Sequence, residues 1–294
     1  GLMKTILILG AGTAGTAMAH KIRRKLSSDW EVAVVDPSTK HVYQPGLLFL
    51  PFGDETEARI VRERDSTLGK GITWHRTEVK AIDTERRVVE VADGEPLSYD
   101  FLIIASGTEI RPDMIDGMLD GGWQKSVFDF YTLEGAKALQ AGLASFEGGR
   151  LVVNVVEMPI KCPVAPLEFA FLADDYLTKR GIRDKTELVY ATPLDGAFTK
   201  PLASKTLGYL LGEKGIQVET EFMTGEVDSE KNVIRSYDER EVPYDLLVTI
   251  PPHMGASFLE DSELGDELAF VPTDPHTLAA KNVERVFCIG DATD

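Results

Sequence analysis

The stretch Thr5-Ile6-Leu7-Ile8-Leu9-Gly10-Ala11-Gly12-Thr13-Ala14-Gly15 decides the fold. From Thr5 to Leu9 it is an apolar run of the kind shown by a strand buried on both faces. It breaks into three glycines within six residues, and the Ala-rich segment from Thr16 to Leu26 that follows predicts a helix. Glu31 to Val35 reads as a second strand, closed by Asp36. Strand, glycine turn, helix, strand and acid, with the acid about 20 residues past the last glycine, is the order of a dinucleotide-binding βαβ unit.

Each residue type has a reason to stand where it does. Gly10 permits the tight turn, Gly12 lets main chain approach a pyrophosphate, and Gly15 allows the helix to pack closely on the strand. Thr13 and Ala14 open the helix, where free N–H groups and the positive end of the dipole meet phosphate. Asp36 is placed to accept hydrogen bonds from a ribose diol. The fingerprint by itself does not choose between a flavin and a nicotinamide dinucleotide.

The pattern then recurs. Gly71-Ile72 opens a strand pair that ends at Tyr99-Asp100-Phe101-Leu102-Ile103, and Gly215-Ile216 opens another that ends at Tyr244-Asp245-Leu246-Leu247-Val248. Upstream of the second copy, Arg150 to Val156 reads as a new first strand, Phe169 to Arg180 as its helix and Glu187 to Ala191 as its second strand. This predicts an α/β protein of two Rossmann-like domains of the FAD/NAD(P)-binding type, the second inserted within the first. The expected division is 1–110 with 251–294 for the first domain and 111–250 for the second.

The second copy has lost its cofactor turn. Where glycines belong, the chain reads Glu157-Met158-Pro159-Ile160-Lys161-Cys162-Pro163-Val164-Ala165-Pro166, with three prolines and no glycine. Proline has no N–H to give a phosphate, and the next strand ends in Thr192-Pro193 without an acid for a ribose. A nicotinamide site is not expected here. Cys162 instead stands just before a helix start, where the dipole and Lys161 favour the thiolate. A small buried hydrophobe is the ordinary role of a free cysteine; proline-flanked exposure in the place of a lost cofactor turn argues for a reactive thiol. Cys288, within the apolar Val286-Phe287-Cys288-Ile289, reads as packing.

Two further segments resemble those of two-dinucleotide flavoproteins. Val286 to Gly290-Asp291 is similar to the strand that returns to the first domain and whose aspartate binds the ribityl-phosphate region of the flavin. Tyr99 to Ala105-Ser106-Gly107-Thr108 is similar to the strand end that lies beside FAD in the same superfamily. By this resemblance FAD is the cofactor, held by Gly10, Gly12, Thr13, Ala14, Gly15, Asp36, Val79, Ala105, Ser106, Gly107, Gly290 and Asp291.

Over nearly its whole length the sequence resembles the sulfide:quinone oxidoreductase and flavocytochrome c sulfide dehydrogenase family. The match rests on Gly10 to Gly15, Pro159 to Phe169, Ile250-Pro251-Pro252-His253 and Ile289 to Thr293. The resemblance implies an FAD-dependent sulfide dehydrogenase in which redox cysteines, rather than NAD(P)H, deliver electrons to the flavin, and quinone accepts them. Cys162 would be the sulfur-handling cysteine and Glu168 the carboxylate assisting proton transfer; a solvated first-turn glutamate is the plainer account of Glu168. The chain departs from the family at Phe128 to Thr132, which carries no cysteine, and it stops before the region that holds the partner cysteine, the quinone pocket and the membrane-binding helices. It is therefore expected to be a fragment of an enzyme that touches the cytoplasmic or periplasmic face of a membrane through that further region, itself soluble and of doubtful competence alone, with a homo-oligomer as an open expectation. A flavocytochrome partner, a type-II NADH dehydrogenase-like flavoenzyme and a non-catalytic flavin-binding or sulfur-carrier protein are the alternatives.

Bulk composition narrows the field in the same direction. The chain has 294 residues, 43% hydrophobic and 27% charged, and a net charge of -17, which disfavours nucleic acid and anionic lipid. There is no apolar run long enough to span a bilayer and no secretory signal; Gly1-Leu2 before Met3 reads as a tag remnant. Two cysteines and five scattered histidines offer no metal-ligand spacing. Tyr43 to Gly46 reads as a loop near the flavin, Asp54 to Arg64 as a solvated helix face, and His253 as a loop cap in preference to a group facing the flavin.

Overall fold

In the computed structural model, residues 3–260, 262, 264, 279–281 and 283–290 are described. Contacts divide the chain into two compact units, one of Gly1–Tyr43, Val61–Glu109 and Met254–Asp294, the other of Gln44–Ile60 and Ile110–His253.

The first unit is built on a parallel five-stranded sheet in the order Val286–Cys288, Phe101–Ile104, Lys4–Leu9, Trp30–Val35, Thr73–His75. The apolar run of the first strand is central because both its faces are covered. Ile6 and Ile8 join Val32, Val34 and Ala19 in one cluster, while Leu7 and Leu9 join Ala33, Val35 and Leu102 in another. This period-two division is what a continuous hydrophobic strand requires. The helix Thr13–Lys25 buries Gly15 and Ala19 against the sheet. A three-stranded antiparallel sheet, Val79–Asp83, Val88–Val91 and Leu97–Ser98, and a two-stranded one, Lys40–Val42 with Val61–Glu63, also belong to the unit.

The second unit repeats the plan. Its parallel sheet runs Val127–Phe128, Leu246–Ile250, Gly149–Val155, Thr186–Ala191, Ile216–Glu219, and its antiparallel sheet joins Thr224–Asp228, Val233–Ser236 and Glu241–Pro243. The repeat reaches individual hydrogen bonds. Asp100 Oδ2 accepts the N–H of Thr5 at 2.7 Å, and Asp245 Oδ2 accepts the N–H of Arg150 at 2.7 Å. The matching aspartates thus close equivalent strand starts. The architecture is the expected α/β fold of two Rossmann-like halves, the second inserted in the first.

Three local expectations are corrected. Gln44–Ile60 clusters with the second unit rather than the first, because Leu48 lies in that unit's core and the Phe52 ring meets Phe169 at 4.8 Å. The helix expected from Phe169 begins at Ala165 and runs to Lys179, with Pro166 in its first turn, where a missing N–H costs nothing. His253 is not an exposed loop cap; it is buried in the short strand His253–Gly255, with Nδ1 3.1 Å from the carbonyl of Pro251.

Candidate active site

In the first unit the glycine turn joins Lys4–Leu9 to the helix that starts at Thr13. Gly10 has φ +98°, and a Cβ there would stand 2.7 Å from the Ala105 carbonyl oxygen. A Cβ on Gly15 would stand 2.0 Å from the Gly10 oxygen. Both glycines are therefore demanded by the protein's own packing. Gly12 differs, because nothing lies within 4 Å of the Cβ it lacks. It is the residue before the helix and gives no side-chain cap, and Gly12, Thr13 and Ala14 are exposed. The first-turn N–H groups are left for an anion.

Asp36 sits at the end of Trp30–Val35 and fixes this turn. Its Oδ2 accepts the Ala11 N–H at 2.9 Å and its Oδ1 the Ser38 N–H at 2.8 Å. A carboxylate has about four acceptor positions, so these two N–H groups do not exhaust it. Behind it lies Arg64, which sequence reasoning assigned to a solvated face. The structure buries Arg64 to 4% exposure, with its guanidinium donating to the carbonyls of Ala11, Ser38 and Lys40 and standing 3.5 Å from Asp36 Oδ1. Burial lowers the Arg64 pKa and the Asp36 charge opposes that shift. Nothing in a run of mixed charges distinguishes the one arginine that three long-range carbonyls will bury.

Of the other first-unit residues, Ala105 and Gly290 lie against the same turn. Ala105, buried, lies against Gly10 and Gly15. Gly107 takes φ +71° with open space around its missing Cβ, and the buried Ser106 Oγ and Thr108 Oγ1 have no hydrogen-bond partner among the described residues. Val79 opens the strand Val79–Asp83 with its side chain in the core. Gly290, φ +75°, places its missing Cβ 3.6 Å from that of Ala14. Asp291 lies outside the described residues. An exposed, uncapped helix start, an unfilled cradle at Gly12 and orphaned hydroxyls suit a dinucleotide.

In the second unit the strand Gly149–Val155 leads into residues 156–164 and then the helix Ala165–Lys179. Val156 and Ile160 anchor this loop in the interior, while Cys162, Pro163 and Val164 are exposed. Cys162 has φ +47°, and its carbonyl accepts the Ala165 N–H at 2.9 Å. Glu168 is exposed in the first turn of that helix. Cys288 is fully buried in the first unit. The Tyr131 hydroxyl donates to the Lys161 carbonyl at 2.9 Å, and its ring meets His253 edge-on at 5.0 Å. Burial, and secondarily the charge of Cys162, push the Tyr131 phenol far above its ordinary range. Sequence reasoning missed Tyr131 because its spacing from Cys162 matches no motif.

A profile of the family described as pyridine nucleotide-disulphide oxidoreductase matches residues 4–294. The chain belongs to this family. FAD is the cofactor that membership brings, and the first-unit residues fit it. Mitochondrial sulfide:quinone oxidoreductase of Mus musculus is 27% identical over 295 residues, covering 98% of this chain and 65% of the relative. The enzyme of the same name from Dictyostelium discoideum is 28% identical over 294 residues, with the same two coverages. The chain thus spans 65% of the length of these curated relatives. The solved sulfide:quinone oxidoreductase of Aquifex aeolicus shares the fold, with a TM-score of 0.85 at 19% identity over 99% of this chain and 69% of that one. Among the described residues no helix is long and apolar enough to cross a membrane.

Proposed function

We propose that the chain carries the flavin and one redox cysteine of a sulfide dehydrogenase that passes electrons to quinone. One observation carries this reading: where the second unit should hold a nicotinamide-binding turn, it holds an exposed cysteine beside a helix start. The relatives named sulfide:quinone oxidoreductase support it.

The first unit, in this reading, holds FAD through the turn Gly10–Gly15, Asp36, the Ala105–Gly107 segment and Gly290-Asp291. Bound FAD supplies a two-electron acceptor. Hydrosulfide attacks an oxidised sulfur bonded to Cys162; the new S–S bond forms on the incoming sulfur and the old one breaks, releasing the Cys162 thiolate. The same electron pair oxidises the sulfide sulfur and reduces the Cys162 sulfur; when the Cys162 thiolate bonds to the outer sulfur of the persulfide just formed, that pair passes to bound FAD and the oxidised sulfur bridge is restored. Glu168 takes the proton of the attacking hydrosulfide. The second unit binds no NAD(P), because residues 156–164 offer prolines in place of the N–H groups that a pyrophosphate needs.

The test is flavin reduction without air in the full-length protein. Sulfide is expected to bleach the flavin rapidly, and NADH is expected to leave it oxidised. Rapid bleaching by NADH would overturn the reading in favour of an NADH dehydrogenase.

A further inference from the structure

We propose that Tyr131 is the positioning residue of the cysteine loop: its hydroxyl, donated to the Lys161 carbonyl, holds Cys162 in the left-handed backbone that presents the thiol. What that thiol does rests on the function proposed above; how it is held does not.

The conformation of Cys162 is imposed from outside. Residues with a Cβ seldom adopt φ near +47°. Cys162 also precedes Pro163, and a residue before proline is pushed towards extended backbone. Two local preferences therefore point away from what is observed. Among the described residues, the main chain on each side of Cys162 accepts a hydrogen bond. The Cys162 carbonyl accepts from Ala165, a contact the helix start provides in any case. The Lys161 carbonyl accepts the Tyr131 hydroxyl at 2.9 Å, a tether that spans thirty positions of sequence.

Tyr131 is itself fixed. Its N–H donates to Asp129 Oδ1 at 2.8 Å, and its ring packs on Phe130 and His253, each at 5.0 Å between centroids. The fully buried Asp129 carboxylate also accepts the Thr132 N–H, the Thr132 hydroxyl and the Gln124 amide. Gly135 leaves room for it, since a Cβ there would stand 2.1 Å from Asp129 Oδ2. The tether thus starts from a rigid base. Burial keeps the phenol protonated, so it remains a donor across the working pH range. A tyrosine present only to fill space would serve equally well as phenylalanine.

The chain has two cysteines, so protein grown with isotopically labelled cysteine gives two backbone signals, and the Cα shift reports the local backbone. In Tyr131→Phe, which keeps the ring, the Cys162 signal is expected to move from the left-handed to the extended range while the buried Cys288 signal stays, showing an intact fold. Asp129→Asn, which weakens the base, should move it in the same direction by less. A Cys162 signal at its parent position in Tyr131→Phe overturns the proposal. In the full-length enzyme, sulfide-driven bleaching of Tyr131→Phe should slow about tenfold at saturating sulfide with unchanged FAD content. A parent enzyme that sulfide does not bleach would defeat the sulfide reading alone, because the cysteine signals report the tether separately.

Discussion

The turn Gly10–Gly12 and the loop 156–164 join equivalent strands to equivalent helices, and they solve opposite problems. In the first, main chain is brought so close that Gly15 has no room for a Cβ beside the Gly10 carbonyl, and Gly12 leaves an empty cradle over exposed N–H groups. In the second, Pro159 and Pro163 carry no N–H groups, and the exposed Cys162 side chain is what reaches the surface. The sheet frame around the two connections is shared, down to Asp100 and Asp245 closing the strand starts at 2.7 Å. The difference teaches that the βαβ frame fixes only where a ligand or a reactive group will stand. A backbone turn at that point makes a candidate phosphate site, and a side chain at the same point makes a candidate redox site.

The comparison breaks most visibly at its glycines. Gly12→Val adds a side chain where the protein has nothing within 4 Å, so the variant should fold with a Tm close to the parent. Its FAD affinity should drop at least ~100-fold, or about 2.7 kcal/mol, measured by flavin content and reconstitution. Gly15→Val, whose Cβ would meet the Gly10 oxygen at 2.0 Å, should instead fail to fold or lose much of its stability. Equal flavin content in Gly12→Val and the parent would remove the first half of the comparison.

A smaller effect is expected at Arg64. Replacing it with glutamine removes the guanidinium that donates to the Ala11, Ser38 and Lys40 carbonyls, and should weaken FAD binding about tenfold, roughly 1.4 kcal/mol, along with a lower Tm. Parent-like values for both would make Arg64 a bystander. Titration of NADH should give no saturable binding to the second unit, and a saturable isotherm would show that the cysteine loop has not displaced a nicotinamide site.

The smallest effect is a pH slope. Burial lifts the Asp129 carboxyl above its ordinary range against four hydrogen bonds that oppose the shift. The folded state therefore holds this proton more tightly than the unfolded chain does. The stability so gained is complete below the unfolded value of ~3.9 and is lost as pH rises through the folded value. Urea unfolding across mildly acidic pH should show the parent losing stability with rising pH and Asp129→Asn showing a flatter curve. Parallel curves would deny the shift.

What the sequence disclosed was whatever is local. The Thr5–Leu9 run, the glycine turn and the Asp36 offset lie within forty residues, and each obeys a short-range rule. The repeat was legible because Tyr-Asp followed by an apolar run recurs intact at Tyr99 and Tyr244. Long-range burial was not legible. Arg64 closes a run of charges that looks solvated, and only the fold brings three carbonyls to it. His253 follows two prolines and looks like loop, yet its ring lies against Tyr131. Leu48 and Phe52 carry no mark of which core will take them, and they assign Gln44–Ile60 to the second unit. Tyr131 reaches the cysteine loop through a hydrogen bond to a carbonyl, and such a bond leaves no residue-type signal at its acceptor.

On the function proposed above, Cys162 is the group that feeds electrons to bound FAD. The most direct measurement is stopped-flow reduction of the flavin by sulfide, without air, in full-length Cys162→Ser beside Cys288→Ser and the parent. Both variants should retain their FAD. Cys288→Ser, altered at a buried core position, should bleach at close to the parent rate, and Cys162→Ser should show no rapid phase. A Cys162→Ser enzyme that bleaches as fast as the parent would contradict the account and reduce the exposed thiol to an ordinary surface residue.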